Sequence, residues 1–154
     1  MRNEQGDVFF YGSFMDPNVL LKYDLHPCGI KTASLTDYSI GFTPMATIFS
    51  SPRSVVWGVI CGLPSSQLEQ AYRVQPLSEY DYYAKKINIS TVDGERHPAI
   101  VYLTDKPIGI IPERPYVENI IRIATEHKFP EEYLRLLQSF LEKNSDRRPR
   151  IKTR

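Results

Sequence analysis

The order of strand-like and helix-like segments constrains the fold of this chain more than any other feature. One strand-like run and one short helical run come first, several strand-like runs fill the middle, and two amphipathic helical runs follow. Strands and helices therefore do not alternate as βαβ units. This order predicts an α+β fold, a small mixed β-barrel of about six or seven strands with a short helix after strand 1 and two C-terminal helices.

A glycine turn separates the first predicted strand from the first predicted helix. Residues 8–11 are all β-branched or aromatic, which is typical of a strand buried on both faces, and Gly12-Ser13 interrupts them. Asp16-Pro17 then predicts a helix N-cap and a first-turn proline. Such a turn leaves consecutive backbone N–H groups accessible, which favours a site for a carboxylate or phosphate. The same junction is also common as a purely structural feature, so the residues alone leave both interpretations open.

Short runs rich in β-branched and aromatic residues predict the remaining strands. A serine-capped helix at residues 64–72 interrupts these runs, and Asp93-Gly94 is typical of a hairpin turn. Three prolines and a glycine predict an irregular connection at residues 104–115. The predicted strands after the first span residues 31–34, 37–42, 46–49, 54–62, 83–90 and 98–103.

Two amphipathic helices are predicted after the irregular connection. In the first, apolar residues recur at helical spacing from Val117 until near His127. The second begins at Pro130, and its first turn carries Glu131 and Glu132, which suit the positive end of the helix dipole.

Charge is distributed unevenly along the chain, although the net charge is only +1. Residues 144–154 carry five basic side chains and one acidic side chain. We therefore expect a domain at residues 1–143, followed by a basic, flexible tail at residues 144–154. The basic residues at 147–154 give the main hint of a contact with RNA or another anionic surface. A solvated tail explains them equally well, and we do not expect a nucleic-acid partner.

The cysteine content and the lengths of the apolar runs narrow the class of protein further. Cys28 and Cys61 are too few for a disulfide framework and form no cluster with metal-ligand spacing. No apolar run is long enough for a signal peptide or a membrane span. We expect a cytoplasmic protein without a metal or other cofactor, which binds a small molecule and no membrane. Monomer and homodimer both stay open.

Several segments occur in the order found in one known family. They are Tyr-Gly-Ser at residues 11–13, Val-Val-Trp-Gly-Val-Ile at 55–60 and Phe-Pro-Glu-Glu-Tyr-Leu at 129–134. In these segments the chain resembles the gamma-glutamylcyclotransferase-like family, including its AIG2-like branch, over roughly residues 8–142. The resemblance implies a small barrel with a ligand cleft at the glycine turn.

The resemblance also implies a reaction and a set of ligand-binding residues. Active members cyclise a γ-glutamyl amine or peptide to 5-oxoproline, and the substrate's own α-amino group attacks the γ-carbonyl. The protein must therefore hold the α-carboxylate and move a proton between the two nitrogens. By the match, Tyr11, Gly12, Ser13 and Phe14 bind the substrate.

The family's proton shuttle is a glutamate after the short helix, where this chain has Gln75. An amide does not accept a proton at neutral pH. Glu79 is the candidate catalytic residue, with Asp81 as a neighbour, although four extended residues span about 13 Å. Gln75, Tyr83 and Tyr116 are further candidate ligand-binding residues, and each tyrosine is equally explained as a packed ring. A non-catalytic small-molecule-binding module of the same fold is the alternative function.

Overall fold

The computed structural model describes the backbone of residues 5–146 and the side chains of residues 6–142. The strands in this part are β1 (Gln5–Phe10), β2 (Cys28–Phe42), β3 (Ala46–Pro64), β4 (Tyr83–Thr91) and β5 (Arg96–Leu103). The α-helices are α1 (Pro17–Lys22), α2 (Ser65–Tyr72), α3 (Arg114–Glu126) and α4 (Glu131–Asp146). Two short 3-10 helices, Ser13–Met15 and Leu77–Tyr80, precede α1 and β4.

The strands form a closed barrel in the order β1-β3-β2-β4-β5. β1 pairs antiparallel with β3 and parallel with β5, while the other neighbours are antiparallel. Between β2 and β4 the described ladder contains two residue pairs, Ala33 with Thr91 and Ser34 with Ser90. These observations confirm the predicted α+β fold and the mixed barrel.

The barrel has five strands rather than the predicted six or seven. The prediction was wrong because two pairs of predicted strands merge into the long strands β2 and β3. Asp37 and Arg53 adopt left-handed backbone conformations (φ 68° and 66°), and the Arg53 N–H donates to Asp37 Oδ1 at 3.0 Å. The register shifts next to Asp37. The polar residues therefore mark an irregularity within a continuing ladder and not a turn.

The predicted start of α1 is confirmed. Asp16 is the N-cap, its carboxylate accepts the N–H of Asn18 at 3.0 Å, and Pro17 lies in the first turn. The predicted serine cap of α2 is wrong. β3 runs directly into α2, so Pro64 occupies the N-cap position and no side chain caps the helix there.

The Asp93-Gly94 turn and the two later helices also agree with the sequence. β4 and β5 pair across the turn, and Gly94 has a φ of 89° that favours glycine. α3 ends at Glu126 and α4 begins at Glu131. No regular element is assigned between residues 104 and 113.

The core lies inside the barrel and beneath the helices. Val8, Phe9 and Phe10 of β1 are each at most 3% exposed, as expected of a strand buried on both faces. α3 adds Val117 and Ile120 to the same buried cluster. This packing fixes the end of β1, and therefore the start of the glycine turn, relative to α3.

Part of the predicted basic tail lies outside the described residues. The backbone of residues 144–146 continues α4, and residues 147–154 are not described. The expectation that this tail has no nucleic-acid partner and the boundary at residue 143 therefore stay predictions. None of the helices in the described residues combines the length and the apolar character that crossing a membrane requires.

Candidate functional site

A cavity of about 60 Å³, here called the loop cavity, lies where β1 ends in the glycine turn. One ordered water needs about 10–15 Å³ of such space, so the loop cavity has room for a small polar group. Of the residues predicted to bind ligand, Tyr11, Gly12, Ser13, Phe14 and Tyr116 line it. The other lining residues are Phe9, Phe10, Val19, Tyr23, Met45, Ala46, Tyr72, Leu77 and Tyr82. This described lining contains no Asp, Glu, Lys, Arg or His.

The glycine turn leaves backbone donors at the cavity wall. The N–H of Met15 donates to the Gly12 carbonyl and the N–H of Asp16 to the Ser13 carbonyl, each at 3.0 Å. Among the hydrogen bonds between described residues, none uses the N–H of Gly12, Ser13 or Phe14. Three consecutive N–H groups of cavity-lining residues are therefore without a hydrogen-bond partner among the described residues.

The start of β3 and two tyrosines lie next to the glycine turn. A Cβ at Gly12 would lie 3.3 Å from Ala46 Cβ and 3.6 Å from the Tyr116 hydroxyl. The Ala46 N–H donates to the Tyr116 hydroxyl at 2.9 Å, and the Tyr82 hydroxyl donates to the Ala46 carbonyl. Phenols that line the cavity thus satisfy both backbone polar groups of Ala46.

Four tyrosines of the lining hold uncharged hydroxyl groups. Burial raises the pKa of Tyr11, Tyr72 and Tyr82 well above the usual value, because the phenolate is poorly solvated inside the protein. Burial also raises the pKa of Tyr116 to about 12, although hydrogen bonds from Ala46 and Ser13 oppose the rise. At neutral pH these four hydroxyl groups carry no charge.

Aromatic packing makes part of the cavity wall. The ring of Phe14 lies edge-on to the rings of Phe10, Tyr23 and Tyr72, with centroids 5.3–5.6 Å apart. Tyr72 stacks on Tyr102 at 4.1 Å. Phe14 is 6% exposed, so its side chain belongs to the wall and its polar contribution to the cavity is its backbone.

Gln75 and Glu79, which the sequence predicts as site residues, do not line the loop cavity. Gln75 is exposed in the connection after α2. Glu79 is exposed on the 3-10 helix Leu77–Tyr80. Leu77, two residues before Glu79, does line the cavity. The structure therefore brings the glycine turn and Tyr116 together, and it leaves Gln75 and Glu79 outside that lining.

Tyr83 also lies outside the loop cavity. Its side chain is 40% exposed, and its hydroxyl donates to Asp105 Oδ1 at 3.0 Å. It lines a neighbouring groove together with Asp105. The preceding residue, Tyr82, lines the loop cavity instead.

Three lining tyrosines, Tyr23, Tyr72 and Tyr82, are absent from the set predicted from sequence. Tyr72 follows Leu68 by four residues in α2, so helical spacing places both on one face, and this signal could have identified it. Tyr82 follows Asp81, whose φ of 53° is left-handed. Which of two adjacent tyrosines faces inward depends on that turn, and the sequence carries no comparable signal for it.

Known proteins share both the sequence pattern and the architecture. Residues 8–120 match the family described as gamma-glutamyl cyclotransferase, AIG2-like. A gamma-glutamylcyclotransferase of Bos taurus is 26% identical over 156 aligned positions, covering 90% of this chain and 82% of that protein. A solved gamma-glutamyl cyclotransferase has a TM-score of 0.75 at 23% identity, covering 88% of this chain and 87% of its own. An uncharacterized protein from Homo sapiens has a TM-score of 0.75 at 24% identity, covering 88% of each chain.

Proposed function

The chain belongs to the gamma-glutamyl cyclotransferase, AIG2-like family, and on that premise we propose that the loop cavity binds a small γ-glutamyl or other carboxylate-bearing ligand. The observation that carries this proposal is the run of N–H groups at Gly12, Ser13 and Phe14, which have no partner among the described residues. Consecutive backbone N–H groups in a turn are suited to an anion. A carboxylate would also accept from them the short, strong hydrogen bonds of a charged acceptor.

The tyrosine hydroxyls would orient the rest of the ligand. Tyr116 already receives the Ala46 N–H on its oxygen, so its own hydrogen can be donated to another oxygen. Tyr11 donates to the backbone carbonyl of Tyr102 at 2.6 Å, and Tyr82 donates to Ala46. Because these hydroxyls are held by backbone groups, the wall is preorganised for one ligand pose.

The family reaction would need little from the protein beyond positioning and one proton transfer. The α-amino nitrogen attacks the γ-carbonyl carbon and closes a five-membered lactam, 5-oxoproline. The bond from that carbon to the leaving amine breaks, and the proton lost by the attacking nitrogen goes to the leaving nitrogen. Holding the α-carboxylate at the loop would keep the amine close to the carbonyl.

We propose that the wild-type protein performs this cyclisation slowly. The described lining holds no carboxylate or imidazole, and burial raises the pKa of four of its phenols (Tyr11, Tyr72, Tyr82 and Tyr116), so none of these four is a ready base at neutral pH. Losing a general base usually lowers a rate by about 10²–10⁴. The same observation supports the second candidate, a binding module without turnover.

The binding proposal can be tested by removing one N–H group from the turn. Ser13 is the first residue of a 3-10 helix, the position in a helix at which proline is best tolerated. We expect Ser13→Pro to weaken 5-oxoproline binding about tenfold or more in calorimetry, because one hydrogen bond to a charged group is lost. Ser13→Ala keeps the N–H and is the matched control.

The outcomes separate the candidates. The site is supported if 5-oxoproline or L-glutamate binds saturably, and if Ser13→Pro weakens this binding while Ser13→Ala preserves it. If neither compound binds, or if Ser13→Pro binds as well as wild type, the proposal is wrong. Release of 5-oxoproline from L-γ-glutamyl-L-alanine, measured by chromatography, distinguishes an enzyme from a binding module.

A further inference from the structure

We propose that the ion pair between Asp16 and Arg122 positions the N–H groups of residues 12–14, which makes both members positioning residues for the ligand. The inference rests on the function proposed for the loop cavity. It concerns what holds the turn in its binding conformation, and neither residue lines the cavity itself.

Asp16 is a buried carboxylate directly after the turn. Its side chain is 7% exposed. Oδ1 accepts the Asn18 N–H at 3.0 Å, and Oδ2 accepts Asn119 Nδ2 at 3.2 Å and Arg122 Nη2 at 3.1 Å. A buried carboxylate is unfavourable unless it is paired and hydrogen-bonded. The backbone that carries Asp16 is therefore held where these partners can reach its side chain.

α3 contacts the turn at both ends. Tyr116 lies beside the start of the turn, its hydroxyl 3.6 Å from where a Cβ of Gly12 would be, while Asn119 and Arg122 bind Asp16. Residues spaced by three lie on neighbouring positions of one helix face. α3 is itself held in the core by apolar residues, of which Val117 and Ile120 are at most 1% exposed. One firmly packed helix, α3, therefore contacts both ends of the segment that carries the N–H groups of residues 12–14.

Arg122 has a second, separable ion pair. Its Nη1 contacts Glu126 Oε2 at 2.9 Å, and both of these side chains are about half exposed. An exposed pair of this kind contributes little to stability. Removing Glu126 therefore changes the surroundings of the same arginine without breaking its bond to Asp16, which gives a matched control.

The experiment compares Asp16→Asn, Arg122→Gln and Arg122→Lys with Glu126→Gln in the full chain. Asparagine is also a good N-cap, so Asp16→Asn removes the charge and retains the cap of α1. For each variant, calorimetry gives the affinity for 5-oxoproline, and NMR relaxation gives the backbone order parameters of residues 12–14. Thermal melting reports overall stability.

We expect Asp16→Asn and Arg122→Gln to bind 5-oxoproline about tenfold more weakly. We also expect the order parameters of residues 12–14 to fall from about 0.85 towards about 0.6. Arg122→Lys should lie between these variants and wild type, because lysine keeps the charge but lacks the planar guanidinium whose two terminal nitrogens bond Asp16 and Glu126 together. Glu126→Gln should match wild type in both measurements.

Three results would overturn the inference. The first is wild-type affinity for 5-oxoproline in Asp16→Asn and Arg122→Gln. The second is an equal loss of affinity in Glu126→Gln. The third is a lower melting temperature in Asp16→Asn and Arg122→Gln with unchanged order parameters at residues 12–14. If wild type binds neither 5-oxoproline nor L-glutamate, the proposed function fails. The order parameters then decide about the ion pair alone, since lower values support its positioning role and unchanged values contradict it.

Discussion

The hydroxyl oxygen of Tyr116 accepts a 2.9 Å hydrogen bond from the backbone N–H of Ala46, which ties α3 to the first residue of β3. The two residues are 70 positions apart in the chain, and both line the loop cavity. The bond therefore joins two parts of the cavity wall that are far apart in the sequence.

We expect Tyr116→Phe to lower the free energy of unfolding by about 1–3 kcal/mol, because the buried Ala46 N–H loses its acceptor. Urea denaturation measures this change. Tyr83→Phe is the matched control, since its hydroxyl is bonded to Asp105 in an exposed setting. Equal losses in the two variants would show that the buried bond has no special role.

A second prediction concerns the glutamate position of the family pattern. We expect Gln75→Glu to leave the initial rate of 5-oxoproline release unchanged, because Gln75 is exposed and outside the cavity lining. A rise of about tenfold or more would show that a carboxylate there reaches the substrate. Glu79→Gln should leave the rate unchanged, since Glu79 is exposed and outside the cavity lining. A rate abolished by Glu79→Gln would instead identify Glu79 as the base.

We expect any side chain at Gly58, even that of alanine, to destabilise the fold. A Cβ at this position would lie 2.1 Å from the Phe10 carbonyl oxygen and 2.8 Å from the Phe9 ring. We expect Gly58→Ala to lower the free energy of unfolding by about 3 kcal/mol or more, because β1 would have to move away from β3. At Gly6 a Cβ would meet nothing within 4 Å, so Gly6→Ala should leave the urea midpoint nearly unchanged. Similar midpoints for both variants would contradict this prediction.

Stability is expected to fall steeply in alkali. Above pH 10, unfolded tyrosines lose their protons, while Tyr11, Tyr72 and Tyr116 retain theirs in the folded state because burial raises the pKa of each. The unfolded state then binds fewer protons, so the free energy of unfolding decreases as pH rises. For Tyr116 the decrease spans pH 10 to about 12.

Each such tyrosine contributes at most about 1.4 kcal/mol per pH unit. Urea midpoints at pH 8, 10 and 11 measure the effect, and the fall should begin at about pH 9, because burial also raises the pKa of the Cys61 thiol from 9.0 to about 12. The slope above pH 10 should be shallower in Tyr116→Phe, which has one buried phenol fewer. An equal slope in that variant would mean that Tyr116 ionises normally in the folded protein.

The segment from β1 to α1 could be predicted from sequence because its signals are local. The apolar run before Gly12 and the Asp16-Pro17 cap act over a few residues, and the structure retains each of them. The same signals located the glycine turn and four of the residues that line the cavity.

The long strands could not be predicted because their continuity depends on distant residues. Asp37 and Arg53 look like turn residues in the sequence, yet they face each other across the β2–β3 ladder and are bonded over a separation of 16 positions. The inward position of Tyr82 has the same origin, since it depends on the left-handed backbone of Asp81 and on the Ala46 carbonyl.

The short ladder between β2 and β4 has a consequence for how the barrel opens. Ala33 and Ser34 pair there with Thr91 and Ser90, whereas the β2–β3 ladder extends along most of both strands. The β1–β5 ladder is also short, with the one described pair Val8 and Ile100. The β4–β5 hairpin is therefore weakly held on both sides, so breathing of the native state should begin with its separation from β1 and β2. The glycine turn lies at the end of β1, which is held by β3 along its whole length, so the turn should stay in place, while Tyr82 and the Tyr102 carbonyl that holds Tyr11 would move with the hairpin.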